Sequence, residues 1–141
     1  SRVSKIFSVA SYVSINEIED AIRRSWRKNL KQESMVLPRD VMLNLLRQVD
    51  GLKVTSSDDV KVVKPKLFTE ELRPFEKKLF NMIQGSEKQQ CREKTLEDSL
   101  VGDISEKHSF SMALNYSPVI LKVRDEKGKY QRGLYTVIGA K

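Results

Sequence analysis

The 141-residue sequence predicts a small, predominantly helical α+β fold made of two successive units. In each half of the chain, apolar residues recur at helical spacing in three segments. The third segment is followed each time by two short β-prone stretches joined by turn-forming residues, the pattern of a β-hairpin. The order helix, helix, helix, hairpin thus occurs twice, with a period of roughly 65 to 70 residues. We call residues 1–66 the first half and residues 67–141 the second half, and we expect each to form one unit.

Two helices are predicted at the start of the first half. Apolar residues at helical spacing between Val3 and Val13 indicate the first. The second should begin at the capping box Ser14-Ile-Asn-Glu17, in which the hydroxyl and the carboxylate each satisfy a free backbone N–H. From this cap, the residues that recur on one helical face are Ile15, Ile18, Ile22 and Trp26. We expect this face to lie in the core.

A third helix and a hairpin complete the first half. Pro38 suits the first turn of the helix and Gly51 suits its end. Its predicted buried stripe is Met42, Leu45, Leu46 and Val49. The hairpin strands are predicted at residues 52–55 and 60–63, with an acidic turn between them. Pro65 then indicates a linker over residues 64–69.

The second half repeats this order. A helix with Phe75, Leu79, Met82 and Ile83 on one face should stop at Gly85, and a polar connector, SEKQQCREK, follows. Thr95-Leu-Glu-Asp98 resembles a capping box and predicts a short second helix. Ser105 is the predicted cap of a third helix, whose inward residues are Phe110, Ala113 and Leu114.

The second hairpin is predicted within residues 118–139. Pro118 ends the preceding helix and favours extended backbone before it. Gly128 can adopt the positive φ angle that a hairpin tip requires. Cations crowd this tip, at positions 122, 124, 127, 129 and 132.

Charge is distributed unevenly along the chain, whose formal net charge is +7. Residues 1–66 contain 13 basic and 8 acidic residues, residues 67–106 contain 6 and 9, and residues 107–141 contain 7 and 2. Two basic blocks therefore flank an acidic middle. This profile is compatible with a polyanionic partner but does not require one, because a moderate basic excess often serves solubility alone.

Several classes of protein are disfavoured by the composition. No apolar run approaches 18 residues and no signal peptide is evident, so we expect an intracellular protein of nucleus or cytoplasm that does not bind membranes. One cysteine, Cys91, and one histidine, His108, cannot form the usual zinc site. Because phosphate loops and nucleophile motifs are also missing, we expect no catalysis, no cofactor and no small-molecule substrate. The start at Ser1 suggests a piece of a longer parent chain.

The repeated order resembles the winged helix-turn-helix superfamily in a tandem arrangement. The resemblance is carried by SVASYVSINEIEDAIRRSW and LPRDVMLNLLRQVDGLKV in the first half, and by KTLEDSLVG and HSFSMALNYSPVILKVRDEKGKYQRGLYTVI in the second. It implies that each third helix corresponds to a recognition helix and each hairpin to a wing. In DNA-binding members these elements contact the major groove and the backbone, whereas other members bind RNA or proteins. The first predicted wing, TSSDDVK, departs from the DNA-binding pattern because its tip is acidic.

The candidate nucleic-acid-binding residues follow from this resemblance and from charge. Cations of the second hairpin can neutralise phosphates, and Arg39, Asn44 and Arg47 suit base edges. The full set is Arg23, Arg24, Arg27, Lys28, Arg39, Asn44, Arg47, Lys107, Lys122, Arg124, Lys127, Lys129 and Arg132. The basic series in the second helix is equally compatible with a solvated face, and the hairpin charges with protection against edge pairing.

These observations lead to two functional hypotheses. The first is a non-catalytic nucleic-acid-binding module of a larger intracellular protein, with duplex DNA favoured over RNA. The alternative is a protein-interaction scaffold in a transcription, replication or trafficking complex, which the acidic middle segment and the acidic first hairpin favour.

Overall fold

A computed structural model describes residues 2–25, 38–69 and 71–140. In the first half the elements are α1 (Arg2–Val9), β1 (Tyr12–Ser14), α2 (Ile15–Ser25), α3 (Arg39–Arg47), β2 (Leu52–Val54) and β3 (Asp59–Val62). In the second half they are α4 (Pro74–Gln84), β4 (Gln90–Arg92), α5 (Glu93–Leu100), α6 (Ile104–Tyr116), β5 (Ile120–Arg124) and β6 (Tyr130–Val137). The predicted α+β class is confirmed, and both halves follow the order helix, strand, helix, helix, strand, strand.

Each half forms a three-stranded antiparallel sheet. The strand orders are β1-β3-β2 and β4-β6-β5, so the last strand of each half lies in the middle. Both hairpins were predicted, but the first strand of each sheet was not. The interpretation placed β1 at the end of a helical segment and β4 in a polar connector, and both assignments are wrong. Three residues are too few to display an alternating pattern, and each of these strands forms because a strand much later in the chain pairs with it.

One of the three predicted helix caps is confirmed. Ser14 Oγ accepts a hydrogen bond from the backbone N–H of Glu17 at 3.3 Å, and α2 begins at the next residue. The cap at Thr95 is wrong because α5 already begins at Glu93. The cap at Ser105 is also wrong: Asp103 accepts from the N–H of Glu106 at 3.1 Å. An aspartate two residues earlier thus supplies the acceptor that a helix start requires.

Buried apolar residues from both halves form one continuous cluster. The predicted inward residues of α6 are buried, and so is Ile18 of α2. In α3 the predicted stripe is wrong at Leu45, which is 49% exposed, while Leu43 is buried. In α4 the predicted face is confirmed: Leu79 and Ile83 are buried, Phe75 and Met82 are partly buried against the same core, and Phe80 joins them. Only α3 is rotated by part of a turn from the predicted orientation, because several apolar residues in this short helix satisfy helical spacing almost equally well.

The predicted linker contributes to the core. Pro65–Leu67 form a 3₁₀ helix, and the buried ring of Phe68 packs against Phe7 of α1 with centroids 5.7 Å apart. Gly51, which follows α3, has φ of +92°, and a Cβ there would lie 2.9 Å from the Phe68 ring. Glycine at this turn therefore permits both the left-handed backbone and the close approach of Phe68.

Candidate functional site

The first half contacts the second half mainly through α2. Arg24 was predicted to face solvent and bind nucleic acid, and this is wrong because the residue is 8% exposed. Its guanidinium donates to the backbone carbonyl of Leu114 in the last turn of α6 and lies 5.9 Å from the centre of the Tyr135 ring. Carbonyls in the last turn of a helix lack intrahelical partners and attract cations. The unpaired carbonyl of Leu114 therefore explains why an arginine is buried here.

A second contact between the halves is a polar network around buried Glu76 in α4. Its carboxylate accepts hydrogen bonds from Lys5 Nζ at 2.9 Å, from Ser117 Oγ at 2.6 Å and from the N–H of Arg73 at 3.0 Å. Burial alone would raise the pKa of Glu76, but the hydrogen bonds from Ser117, Lys5 and Arg73 hold it below its ordinary value. The carboxylate is therefore ionised near neutral pH and ties α1 to α4 and to the end of α6.

A cleft of about 610 Å³ opens between the halves, with α2 and the start of α3 on one side and β5 and β6 on the other. On the α2 side five polar residues line the cleft, and one of them is Glu17. The other four follow the spacing i, i+3, i+4 and i+7, so they share one helical face. They are Asn16, Glu19, Asp20 and Arg23. The predicted site residues that the fold brings together at this cleft are Arg23, Arg39, Lys122 and Arg124.

All three cleft arginines are paired with carboxylates of α2, and the weakest pair is Arg23 with Asp20 at 3.9 Å. Arg39, the first residue of α3, donates to Glu19 Oε1 through Nη2 at 2.7 Å and to Asn16 Oδ1 at 2.5 Å. Arg124, the last residue of β5, donates to both oxygens of Asp20, at 2.6 and 3.1 Å. Hydrogen bonding to Asp20 raises the pKa of Arg124 above its ordinary value. The cleft floor is thus a set of satisfied ion pairs rather than a purely cationic surface.

The tip of the hairpin formed by β5 and β6 presents cations of a different kind, two of them in the turn and the third, Arg132, near the start of β6. Lys127, Lys129 and Arg132 are exposed, and none of them forms an ion pair within residues 2–25, 38–69 and 71–140. We call these three residues the cationic tip. The Asp125 carboxylate accepts from the backbone N–H groups of Lys127 and Lys129, each at 2.9 Å, and Gly128 has φ of +81°. The shape of the turn is therefore supported by hydrogen bonds between the Asp125 carboxylate and the backbone of the turn itself.

The remaining predicted site residues lie apart from the cleft lining. On the exposed face of α3, Arg47 Nη1 donates to Asn44 Oδ1 at 3.0 Å. Lys107 of α6 is exposed and lies 4.0 Å from Glu97. Arg27 and Lys28 fall outside the residues that the structure describes. The predicted set thus divides between the cleft, the cationic tip, two isolated helix faces and the buried Arg24.

The partners of the cleft arginines were not predicted. Glu19 and Asp20 share a helical face with Arg23, and this spacing was a usable signal in the sequence. Tyr130 was missed because only its proximity to Arg124 across the hairpin reveals its role; its hydroxyl accepts from Arg124 at 2.9 Å. Pairings between residues about 100 positions apart, such as Asp20 with Arg124, have no local signature.

Neither the remaining features of the described residues nor comparison with known proteins identifies a function. Within the described ranges, no helix is long and apolar enough to span a bilayer, and no group of three or more His, Cys, Asp or Glu residues could hold a metal ion. Cys91 is buried in β4. No protein-family model, curated protein or solved structure matches the chain. Function must therefore be inferred from the geometry of the cleft and of the cationic tip.

Proposed function

We propose that this chain is a tandem winged-helix module that binds nucleic acid without catalysis, with duplex DNA as the favoured ligand. The observation that carries the proposal is the cationic tip, three exposed cations without ion-pair partners in the described part of the chain, at the end of a hairpin that follows the third helix of its half. The winged-helix assignment is supported by the shared order of elements and by the central position of the last strand in each sheet.

The tip would act on the phosphate backbone. Each Lys or Arg that neutralises a phosphate releases a condensed counterion, so affinity falls as salt rises. Asp125 and Glu126 each offset one positive charge at the turn, and the Asp125 carboxylate also accepts two backbone N–H groups. The flexible lysines can therefore adapt to phosphate positions while the turn beneath them keeps its shape.

Base contacts are assigned to α3. Arg47 and Asn44 hydrogen-bond each other on its exposed face, whereas Arg39, at the start of the helix, is held by Glu19 and Asn16 and would have to leave them to contact a base. An arginine can engage guanine and an asparagine adenine with paired hydrogen bonds. The end of α6 is less suited to a groove, since α2 contacts it through the Arg24 guanidinium at Leu114.

The test replaces Lys127, Lys129 and Arg132 by Gln and measures the dissociation constant for duplex DNA at several salt concentrations. We expect weaker binding and a shallower dependence on salt, with the logarithmic slope reduced by about 0.9 for each phosphate that the variant no longer neutralises. Single-stranded DNA and duplex RNA of the same sequence, measured in parallel, rank the possible ligands.

A matched control removes three cations from the first half, at Lys53, Lys61 and Lys66, which are also exposed. This variant has the same net charge as the tip variant, so it separates local contact from overall charge. Equal losses in the two variants would contradict a site at the tip. A wild-type chain that binds none of the three nucleic acids would contradict the function itself.

A second candidate function is supported by the same exposed face of α3. Val41 and Leu45 are 41% and 49% exposed and lie four residues apart, so they form an apolar stripe beside Asn44. Such a stripe suits a protein partner better than phosphate. Replacing both residues by Ser should leave binding at the cationic tip unchanged, and it should abolish binding to a protein partner that occupies α3.

A further inference from the structure

Every nitrogen of the Arg124 guanidinium is occupied. Nε and Nη2 donate to the two oxygens of Asp20, Nη2 also donates to the Tyr130 hydroxyl at 2.9 Å, and Nη1 donates to the carbonyl of Gly128 at 2.8 Å. The Tyr130 hydroxyl donates in turn to Asp20 at 3.1 Å, and its ring lies 4.3 Å from the guanidinium carbon. We call Asp20, Arg124 and Tyr130 the brace.

The brace connects three parts of the molecule. Asp20 belongs to α2 of the first half, Arg124 ends β5, Tyr130 begins β6, and Gly128 lies at the top of the turn between them. The guanidinium therefore fixes the shape of the turn and, through Asp20, its position relative to the first half. Arg39 at the start of α3 is fixed to the same helix through Glu19, so α2 holds both sides of the cleft.

Resting on the proposed function, we propose that Arg124 is a positioning residue and not a phosphate ligand: with Asp20 and Tyr130 it holds the cationic tip against the first half, so that the tip and α3 meet one nucleic acid together. Resemblance to a cationic wing placed Arg124 among the phosphate-binding residues. Its contacts assign it a different role from that of the neighbouring lysines.

Two physical considerations support this division of roles. A phosphate could recruit Arg124 only by displacing Asp20, whose side chain is 13% exposed. That carboxylate would keep only the Tyr130 hydroxyl and Arg23 at 3.9 Å, and a partly buried carboxylate that loses its closest cation is unfavourable. The lysines of the tip carry no such cost because they have no ion-pair partner in the described residues. Holding a charged loop in its binding position before the ligand arrives lowers the entropy lost on binding.

The experiment is a double-mutant cycle with Asp20→Asn, Arg124→Gln and the combined variant, measured as duplex DNA affinity. We expect each single change to weaken binding roughly fivefold, as expected for loss of one partly exposed ion pair that orders a loop. In the Asp20→Asn background, Arg124→Gln should cost nothing more. The salt slope should stay at the wild-type value because the phosphate contacts of the tip remain.

The direction of the Asp20→Asn effect decides between positioning and simple electrostatics. This change makes the protein one charge more positive, so electrostatics alone predicts tighter binding. Glu126→Gln adds the same charge in the turn without touching the brace, and it should tighten binding. If Asp20→Asn also tightens binding, or if Arg124→Gln costs the same in both backgrounds and lowers the slope, Arg124 is a phosphate ligand and the inference is overturned.

A measurement on the free protein separates failure of the inference from failure of the proposed function. Hydrogen exchange of the amides at positions 125–129 should accelerate in Asp20→Asn and in Arg124→Gln, and to a smaller extent in Tyr130→Phe, because the turn loses its support. Unchanged exchange would overturn the brace even if DNA binds. Accelerated exchange in a chain that binds no nucleic acid would overturn the proposed function, and positioning for binding with it, while leaving the brace as a structural contact.

Discussion

The two halves share one order of elements but differ in what their hairpins do. The first hairpin is short, with strands of 3 and 4 residues, and its Asp59 accepts a hydrogen bond from Tyr12 of the same sheet at 2.7 Å. The second hairpin has strands of 5 and 8 residues, and Arg124 reaches Asp20 in the other half. The side-chain contact of the first hairpin stays within its own sheet, whereas that of the second hairpin connects the two halves. The two hairpins share one topology, and they differ in the length of their strands and in the charged side chains that they carry.

The difference extends to the helices that support each hairpin. The first half supplies the side chains Lys5, Glu17, Asp20 and Arg24 to contacts with the second half. Glu17, for example, accepts the N–H of Gly139 at 2.6 Å while its own N–H is capped by Ser14. The position of the cationic tip is therefore set by the first half as much as by the second.

The largest expected effect comes from the shared core. Ile18→Ala removes a fully buried side chain of α2 and should lower the free energy of unfolding by about 2–5 kcal/mol. Because the buried cluster spans both halves, we expect one cooperative transition and loss of amide protection in α4 and α6 as well as in α2. Denaturant unfolding and hydrogen exchange measure the two consequences.

The matched control for this prediction is the same substitution at Ile104, which is 90% exposed and should change stability by less than about 0.5 kcal/mol. A transition in which only the first half loses protection would show that the halves fold independently. The two halves would then be separate folding units rather than parts of one cooperative unit.

Smaller than the core effect, but still substantial, is the expected effect of Glu76→Gln. The change removes a charge-assisted network between the halves and should cost about 2 kcal/mol at neutral pH. Glu71→Gln, at an exposed position, is the matched control and should cost little. A loss equal to that of the control would mean that the network does not hold the halves together.

The same residue predicts a dependence on pH with a definite sign. The pKa of Glu76 in the folded chain lies below its ordinary value of 4.5. Its contribution to stability should therefore be complete above pH 4.5 and should disappear as the pH falls through the lower folded value. Stability of the wild type and of Glu76→Gln, measured against pH, should converge in acid. Curves that stay parallel to low pH would contradict this assignment.

The successes and failures of sequence-based prediction follow a physical boundary. Most features set by neighbours along the chain were predicted, including both hairpins, the cap at Ser14 and the inward face of α6, although the caps at Thr95 and Ser105 were wrong. Features set by distant segments were not: β1 and β4 exist through pairing with late strands, and Arg24 is buried because α6 offers it a carbonyl. For the site, the cations were identified, but the carboxylates that pair with them were not, and Asp20 lies in the other half from Arg124. The sequence therefore identifies the cationic residues, but it does not show which of them pair with carboxylates in the fold and which can contact a ligand.

The smallest expected effect comes from comparing the two hairpin turns directly. Asp58→Asn and Glu126→Gln each remove one negative charge, the first from the turn between β2 and β3 and the second from the turn beside the cationic tip. Asp58 has φ of +60°, a conformation that Asn tolerates well, so neither change should disturb the backbone. If only the second hairpin contacts DNA, Glu126→Gln should tighten binding by roughly two- to threefold at low salt, whereas Asp58→Asn should have almost no effect.

This pair of variants is informative because screening limits the reach of a surface charge to about 10 Å at 0.1 M salt. A charge removed beyond that distance from the phosphates changes affinity little, so the ratio of the two effects reports which turn lies near DNA. Equal tightening by both variants would place both hairpins near DNA. The acidic residues of the first turn would then weaken binding by repelling phosphate. A larger effect at Asp58 would reverse the comparison and place the first hairpin, rather than the cationic tip, near DNA.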